Sequence, residues 1–291
     1  VTSLYPWGED SLDLAGRVRD AIIQASTTYS PDVLRAYERA LEVEEDERSA
    51  WILELLIENA RIAERERRPL CDDTGIPHLI VEVGEDASLP AGFFNHLKRG
   101  IEEGLRELPG RPMAVRGDEV ERIEQSRGLY SDPAKLPPAP FLVDSAPGDG
   151  VKIHVLMLGG GPEIRARTRR IFHRHSYRKV FEEVITWMKT EVPMLGCTPC
   201  IPAIGIGRTH FEATGLMLRA MATGNLDEQS WIEEYITESL NSTGTGPLGL
   251  GGSTTALGAM IKVGPQRASG VRIVSMRLAC CVEPRRATID L

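Results

Sequence analysis

A chain of 291 residues with 42% apolar and 26% charged residues is long enough for one large or two ordinary domains around a substantial core. Its formal net charge of −8 argues against nucleic acid as the main partner, and it has no run of about 20 apolar residues to span a membrane. Five scattered cysteines exclude a secreted disulfide framework, and residues 1–6 lack the basic start and apolar core of a leader, so the expected location is the cytoplasm.

Residues 9–68 read as helices and predict a helical N-terminal lobe over 1–68, ahead of a second domain over 69–291. Ser30 is a good N-cap with Pro31 at the first helical position. Trp51, Ile52, Leu55, Leu56, Ile57 and Ala60 recur at helical spacing opposite Glu58, Arg61, Glu64 and Arg65, the pattern of a packing or oligomer surface. The pattern breaks at Arg68-Pro69-Leu70. Cys71-Asp72-Asp73-Thr74-Gly75 then makes a tight turn before an alternating strand over 79–83. A helix is expected over 93–108, stopped by Pro109-Gly110. Arg116, ahead of a polar helix or loop, can clamp a carboxylate through two parallel hydrogen bonds. The proline-rich residues 133–140 are a linker or extended surface loop.

Pro147-Gly148-Asp149-Gly150 is a turn, and a strand over 151–158 ends in Gly159-Gly160-Gly161, where a backbone can approach a ligand closely. A long helix is expected over 163–189, basic at its start (Arg165, Arg167, Arg169, Arg170). His173 and His175, two apart on it, face different ways and read as surface histidines. In residues 195–209, Cys197 stands ahead of a buried apolar strand over 201–206 that ends in Gly205 and Gly207. Cys197-Thr198-Pro199-Cys200 matches a dithiol redox motif, but a redox dithiol follows its strand, whereas this one precedes it. Helices over 209–221 and 227–240 lead to a glycine-dense segment over 244–255. Its G-x-G-x-x-G, from Gly244 to Gly249, has no convincing strand before it and Pro247 inside it. A loop of exposed amides opening a helix over 254–261, and so forming an anion site, is the better expectation. A last strand over 271–279 delivers Cys280 and Cys281, followed by Arg285 and Arg286. These elements predict an α/β chain: a mixed sheet with flanking helices and a helical N-terminal lobe.

Taken in order, the motifs resemble those of the class I (iron–sulfur) fumarase and L(+)-tartrate dehydratase family. Cys71-Asp72-Asp73-Thr74-Gly75 is similar to its C-Q-D-T-G, and Pro147-Gly148-Asp149 with Gly159-Gly160-Gly161-Pro162-Glu163 to its P-G-D and G-G-G-S-E. The run from Cys197 through Ile206, Gly207 and Thr209 resembles its C-P-P and G-V-G-I-G-G-T. Gly246-Pro247-Leu248-Gly249-Leu250-Gly251-Gly252-Ser253-Thr254-Thr255 resembles its G-P-Q-G-L-G-G-K-T-T, and Cys281 with Arg285 and Arg286 its C-x-x-x-R ending. The resemblance covers residues 50–290, the length of an alpha subunit in two-subunit members. Asp72 and Leu248 stand where the family has glutamine, Ser253 where it has lysine and Arg208 where it has glycine. The family histidine before the last strand has no clear counterpart, with Arg267 and Ser269 lying nearby.

The resemblance implies the alpha component of a hydro-lyase that reversibly dehydrates a small 2-hydroxy carboxylic acid, fumarate- or tartrate-like. It implies a 4Fe–4S cluster held by Cys71, Cys197 and Cys281, with one iron open to substrate; Cys281 is preferred to Cys280 for its spacing to Arg285. It further implies catalytic Asp73, with Thr74 supporting it, and substrate contacts from Asp72, Arg116, Gly160, Gly161, Gly251 and Gly252. With Leu291 directly after the last motif, a beta subunit or separate C-terminal-domain chain is expected to supply the remaining groups, in an oligomer. Two other readings stay open: a thiol redox protein using Cys197 and Cys200, and a non-catalytic anion- or nucleotide-binding module built on the glycine loops.

Overall fold

The computed structural model of the chain describes residues 13–291; the first residues of the expected helical stretch, and residues 1–6, lie outside the described residues. The fold is α/β, with two mixed four-stranded sheets flanked by helices. Two compact units interleave along the chain. One takes the segment ending at Thr28, Ile62–Leu158 and Arg285–Leu291; the other takes Tyr29–Arg61 and Gly159–Pro284. Among the described residues no helix is long and apolar enough to cross a membrane.

The first unit contains α1 (Leu14–Thr27), β1 (Ile76–Gly84), α4 (Phe93–Glu107), the short α5 (Glu119–Glu124), β2 (Leu142–Ala146), β3 (Val151–Leu158) and β8 (Arg285–Asp290). Its sheet has the order β2-β1-β3-β8, with β1 and β2 parallel and the other pairs antiparallel. Leu14, Val18, Ala21, Ile22 and Ala25 recur every three or four residues along α1, so one stripe of that helix is apolar. That stripe packs with Leu97, Ile101 and Leu105 of α4 onto alternate sheet residues: Leu79 and Val81 of β1, and Ile153, Val155 and Met157 of β3. Each such buried side chain contributes about 1.5–3 kcal/mol. The polar stretch after Arg116 becomes a helix because Asp118 and Glu121 form a reciprocal capping box.

The second unit contains α2 (Pro31–Val43), most of α3 (Glu47–Glu66), α6 (Gly160–Ile164), β4 (Arg167–Phe172), α7 (Tyr177–Glu191), β5 (Ile201–Gly207), α8 (His210–Thr223), α9 (Trp231–Asn241), β6 (Met260–Val263) and β7 (Val271–Ala279). Pro31 opens α2 as expected, although the Ser30 side chain makes no capping hydrogen bond. Along α3, Ile52, Leu53, Ile57 and Ala60 are buried, whereas Trp51 and Leu55 are exposed. The sheet order is β4-β7-β5-β6, and only β5 and β6 are parallel. Every residue of β5 is buried. Ile204 and Ile206 face α7 and α9 across one core, while the intervening Gly205 lies against α8. A Cβ at Gly205 would come within 2.0 Å of the Ala213 carbonyl, so the glycines closing this strand are there for helix–sheet approach.

Three expectations are corrected. The helix over 163–189 is interrupted by β4: the stretch Arg167-Thr168-Arg169-Arg170-Ile171-Phe172 pairs antiparallel with β7 and buries Ile171, so tertiary pairing overrides local helical preference. His173 is therefore on the turn after a strand, 8% exposed, and is no surface histidine; its Nε2 is 2.7 Å from the Ser269 carbonyl. No helix forms over 254–261 either. That segment is extended, bridges Cys200 at Ala256 and leads into β6. Finally, β7 is followed by β8, which returns the chain to the first sheet.

Candidate active site

In the first unit the acidic turn is built around a cation. Arg285, 1% exposed on β8, donates to the carbonyls of Asp73 (2.6 Å), Thr74 (3.1 Å) and Met157 (3.0 Å). Gly75 has φ +79°, and a Cβ there would lie 2.5 Å from the Arg285 guanidinium, so this turn demands glycine. Asp73 Oδ1 accepts from the Gly75 N–H at 3.1 Å, which closes an Asx-type turn. Thr74 is 2% exposed, and its hydroxyl accepts from the Arg111 N–H at 2.6 Å. Asp72 points to solvent and pairs with the Arg111 guanidinium at 3.1 Å, a contact worth little at such exposure. Cys71 is half-buried. Burial holds its thiol above the ordinary range, Asp72 adds to this, and the Asp73 backbone and Arg285 oppose it. Arg116 is exposed; the partner of its guanidinium is the Tyr130 ring, 6.0 Å away.

In the second unit two of the expected thiols meet through the backbone. The Cys281 N–H donates to the Cys197 carbonyl at 2.8 Å, with Cys197 exposed and Cys281 8% exposed. The Cys281 carbonyl in turn accepts from the hydroxyls of Tyr29 (2.7 Å) and Tyr37, whose rings stack with centroids 5.5 Å apart. Burial, with Tyr29 and Cys281 adding to it, pushes the Tyr37 hydroxyl well above its ordinary range, so it stays a neutral donor. None of the five cysteines is in a disulfide. Cys200 is fully buried, its N–H and carbonyl bound to Thr255 and Leu257, and burial pushes its thiol up to about 12. A thiol this buried is a poor nucleophile, which counts against a Cys197–Cys200 redox pair.

The turn after Cys281 carries a feature that sequence reasoning missed. Glu283 and Arg277 are buried and paired at 3.1 Å. Glu283 accepts the Gly159 N–H at 2.6 Å, and Arg277 donates to the Gly159 carbonyl at 3.0 Å and to Glu163. Both backbone groups of the first glycine are thus committed internally, while Gly160 and Gly161 lie exposed. The isolated charges at 277 and 283 carry no sequence signal that they meet; only the β7–turn geometry joins them.

The second glycine loop is likewise held from within. Thr198 Oγ1 donates to the Gly246 carbonyl (2.6 Å) and accepts the Gly249 N–H (3.1 Å), and Asn241 Oδ1 accepts the N–H groups of Thr255 and Ala256. Ser49 donates to the Gly251 carbonyl at 2.6 Å, and the Gly251 N–H goes to Thr245. The amides expected to meet an external anion already meet Glu44. Its carboxylate accepts the N–H groups of Ser253 (3.1 Å) and Thr254 (2.9 Å) and the Ser253 hydroxyl (3.0 Å). Burial alone raises the Glu44 carboxyl; these donors outweigh it and hold it below the usual carboxylate range. Gly252 is packed at this contact, where a Cβ would meet Ser49 at 2.4 Å. Among the described residues no group of three His, Cys, Asp or Glu side chains is arranged to hold a metal ion.

The family model described as Fumarate hydratase (Fumerase) matches residues 15–290. A protein of Methanocaldococcus jannaschii, provisionally named L(+)-tartrate dehydratase subunit alpha, is 27% identical over 284 residues, covering 92% of this chain and 94% of its own. The L(+)-tartrate dehydratase subunit alpha of Escherichia coli UTI89 is 26% identical over 271 residues, covering 91% of this chain and 86% of its own; that of Escherichia coli K12 is 25% identical over the same length.

Proposed function

This chain belongs to the fumarate hydratase (Fumerase) family, and from that premise we propose that it is the alpha component of a hydro-lyase. Its substrate is a small 2-hydroxy carboxylic acid of the fumarate or tartrate kind, dehydrated reversibly. The observation that carries this reading is the extent of the family match, residues 15–290, which takes in every one of the motifs from Cys71 to Arg286. Matches over most of the length of two proteins named as alpha subunits of tartrate dehydratase support a second, beta-type chain that completes the site in an oligomer. The proposed location is the cytoplasm, on the few and scattered cysteines of the sequence.

Dehydration needs a base for the proton on the carbon beside the carbinol and help for a poor leaving group, hydroxide. In this reading Asp73 handles the proton. Thr74, buried and bound to the Arg111 N–H, positions it, together with Arg285 beneath the turn. Arg116 and Asp72 in the first unit, and Gly160, Gly161, Gly251 and Gly252 in the second, are each proposed to contact substrate, the Arg116 guanidinium by binding a carboxylate. Glu44, already on the Ser253 and Thr254 amides, limits the second loop to shaping the site. The fit of a 4Fe–4S cluster rests on donor chemistry: Cys71, Cys197 and Cys281 are soft thiols outside any disulfide and would hold it, the last two joined by a backbone hydrogen bond. When bound, such a cluster supplies Lewis-acid assistance to the departing hydroxyl.

The test is anaerobic co-expression with a beta-type partner, with iron and sulfide analysis and assays for fumarate from malate and for the keto acid oxaloacetate from L(+)-tartrate. We expect a brown protein that turns over at least one 2-hydroxy diacid, with iron lost on Cys197→Ala or Cys281→Ala. An iron-loaded complex inert toward every such acid would end the hydro-lyase reading.

A further inference from the structure

The basic run at residues 165–170 has no part in the proposed chemistry, and the structure gives it a different setting. Between β4 and α7 in the second unit runs an open groove of ≈ 1170 Å³. Arg167 and Arg169 line it from the strand. Alternation puts them on one face, and a rise of about 3.3 Å per residue sets their Cα atoms about 7 Å apart. Arg174 lines its end. None of these three guanidiniums has an ion pair or side-chain hydrogen bond among the described residues.

Most of the acidic groups nearby are already taken. Glu191 pairs with Arg165 at 3.1 Å and Glu182 with Lys179 at 2.6 Å, which leaves Glu183 as the one carboxylate on the groove, among the described residues, without a cation. So a chain with a net charge of −8 has a groove with three uncommitted cations against one anion. A second, independent feature lies in the same wall. Trp187, 5% exposed, borders the groove, and its indole Nε1 is buried without any acceptor. A buried N–H left unmet costs about 1–3 kcal/mol and is rare in folded proteins.

We propose that this groove is a binding site for a small anion bearing two negatively charged groups, polyphosphate or polycarboxylate, which Arg167 and Arg169 grip while Trp187 Nε1–H donates to an oxygen. Two guanidiniums spaced along a strand suit two charged groups on one ligand better than a single anion, because each fork takes its own pair of oxygens. The site stands on its own residues, so it survives or fails independently of the hydro-lyase reading.

The test is calorimetric titration of the full chain with inorganic pyrophosphate and, separately, with citrate, at constant pH and ionic strength so that simple screening is held fixed. We expect saturable binding of at least one, and the arm that binds tells phosphate from carboxylate chemistry. Arg167→Gln combined with Arg169→Gln, both exposed and so harmless to folding, should weaken it by at least about tenfold, or about 1.4 kcal/mol. Trp187→Phe should weaken it by about threefold or more. Glu183→Gln, which removes the opposing charge, should tighten it and serves if the Trp187 variant folds poorly. No binding by the parent chain at about 10 mM of either anion, an unchanged affinity in the arginine double variant, or a weaker affinity in Glu183→Gln would each overturn the site. So would loss of a copurifying partner chain from the double variant without any anion binding, which would make the groove a protein interface.

Discussion

Arg277 and Glu283 carry opposite charges where water does not reach them, and each is acceptable only because the other is there. Glu283→Ala should therefore cost about 3–5 kcal/mol in urea unfolding, much more than removal of a surface charge, since it leaves a buried guanidinium and an unmet Gly159 N–H. Glu44 makes a pH-dependent contribution. Its folded carboxyl titrates below its unfolded value of about 4.3, so the stability it adds is complete above that pH and is lost as pH falls through the lower folded value. Glu44→Gln should flatten the acid limb of a stability–pH curve and leave the neutral and alkaline limbs parallel to the parent. The cysteines should separate just as sharply. At pH 8, iodoacetamide followed by peptide mass spectrometry should label the exposed Cys197 first and leave the buried Cys200 unmodified until the chain is unfolded.

The strand β5 and helix α8 meet where a backbone, not a side chain, fills the gap. Gly205→Ala should destabilise by about 1–3 kcal/mol or more in thermal unfolding, because the atoms it strikes, the Ala213 carbonyl and the Met217 N–H, belong to a helix and cannot swing aside. This element was legible in the sequence: an unbroken apolar run closed by glycines reads as a buried strand, and β1, β3 and α4 were equally plain from their periods of two and of three to four. β4 was hidden because its alternating positions are arginine and threonine, with Ile171 alone facing the core, so nothing in the hydrophobic pattern marks a strand. The same holds for the supports of the candidate site. The turn at Cys71 was visible as a motif, but the guanidinium under it, the two tyrosine hydroxyls on the Cys281 carbonyl and the glutamate on the second glycine loop come from distant segments. Partners of that kind are set by topology, and local sequence carries no record of them.

At the scale of the molecule, the chain re-enters the first compact unit twice and the second once, so neither unit is a continuous stretch. Residues 159–284 expressed alone lack residues 29–61, and with them the Asp32 carboxylate that receives the Leu226 N–H and the tyrosines on Cys281. Circular dichroism and amide exchange on that fragment should show reduced helix beyond the missing segments and no protected core, whereas an autonomous, fully protected fragment would show that interleaving is incidental. One of these returns brings back Arg285, which binds the carbonyl of Asp73 across 212 residues of sequence. During synthesis at about 5–20 residues per second, the acidic turn leaves the ribosome some 10–40 s before its arginine does. A nascent chain released early, by a stop codon or a stalled message, therefore carries the Cys71 turn without the guanidinium that ties down its carbonyls.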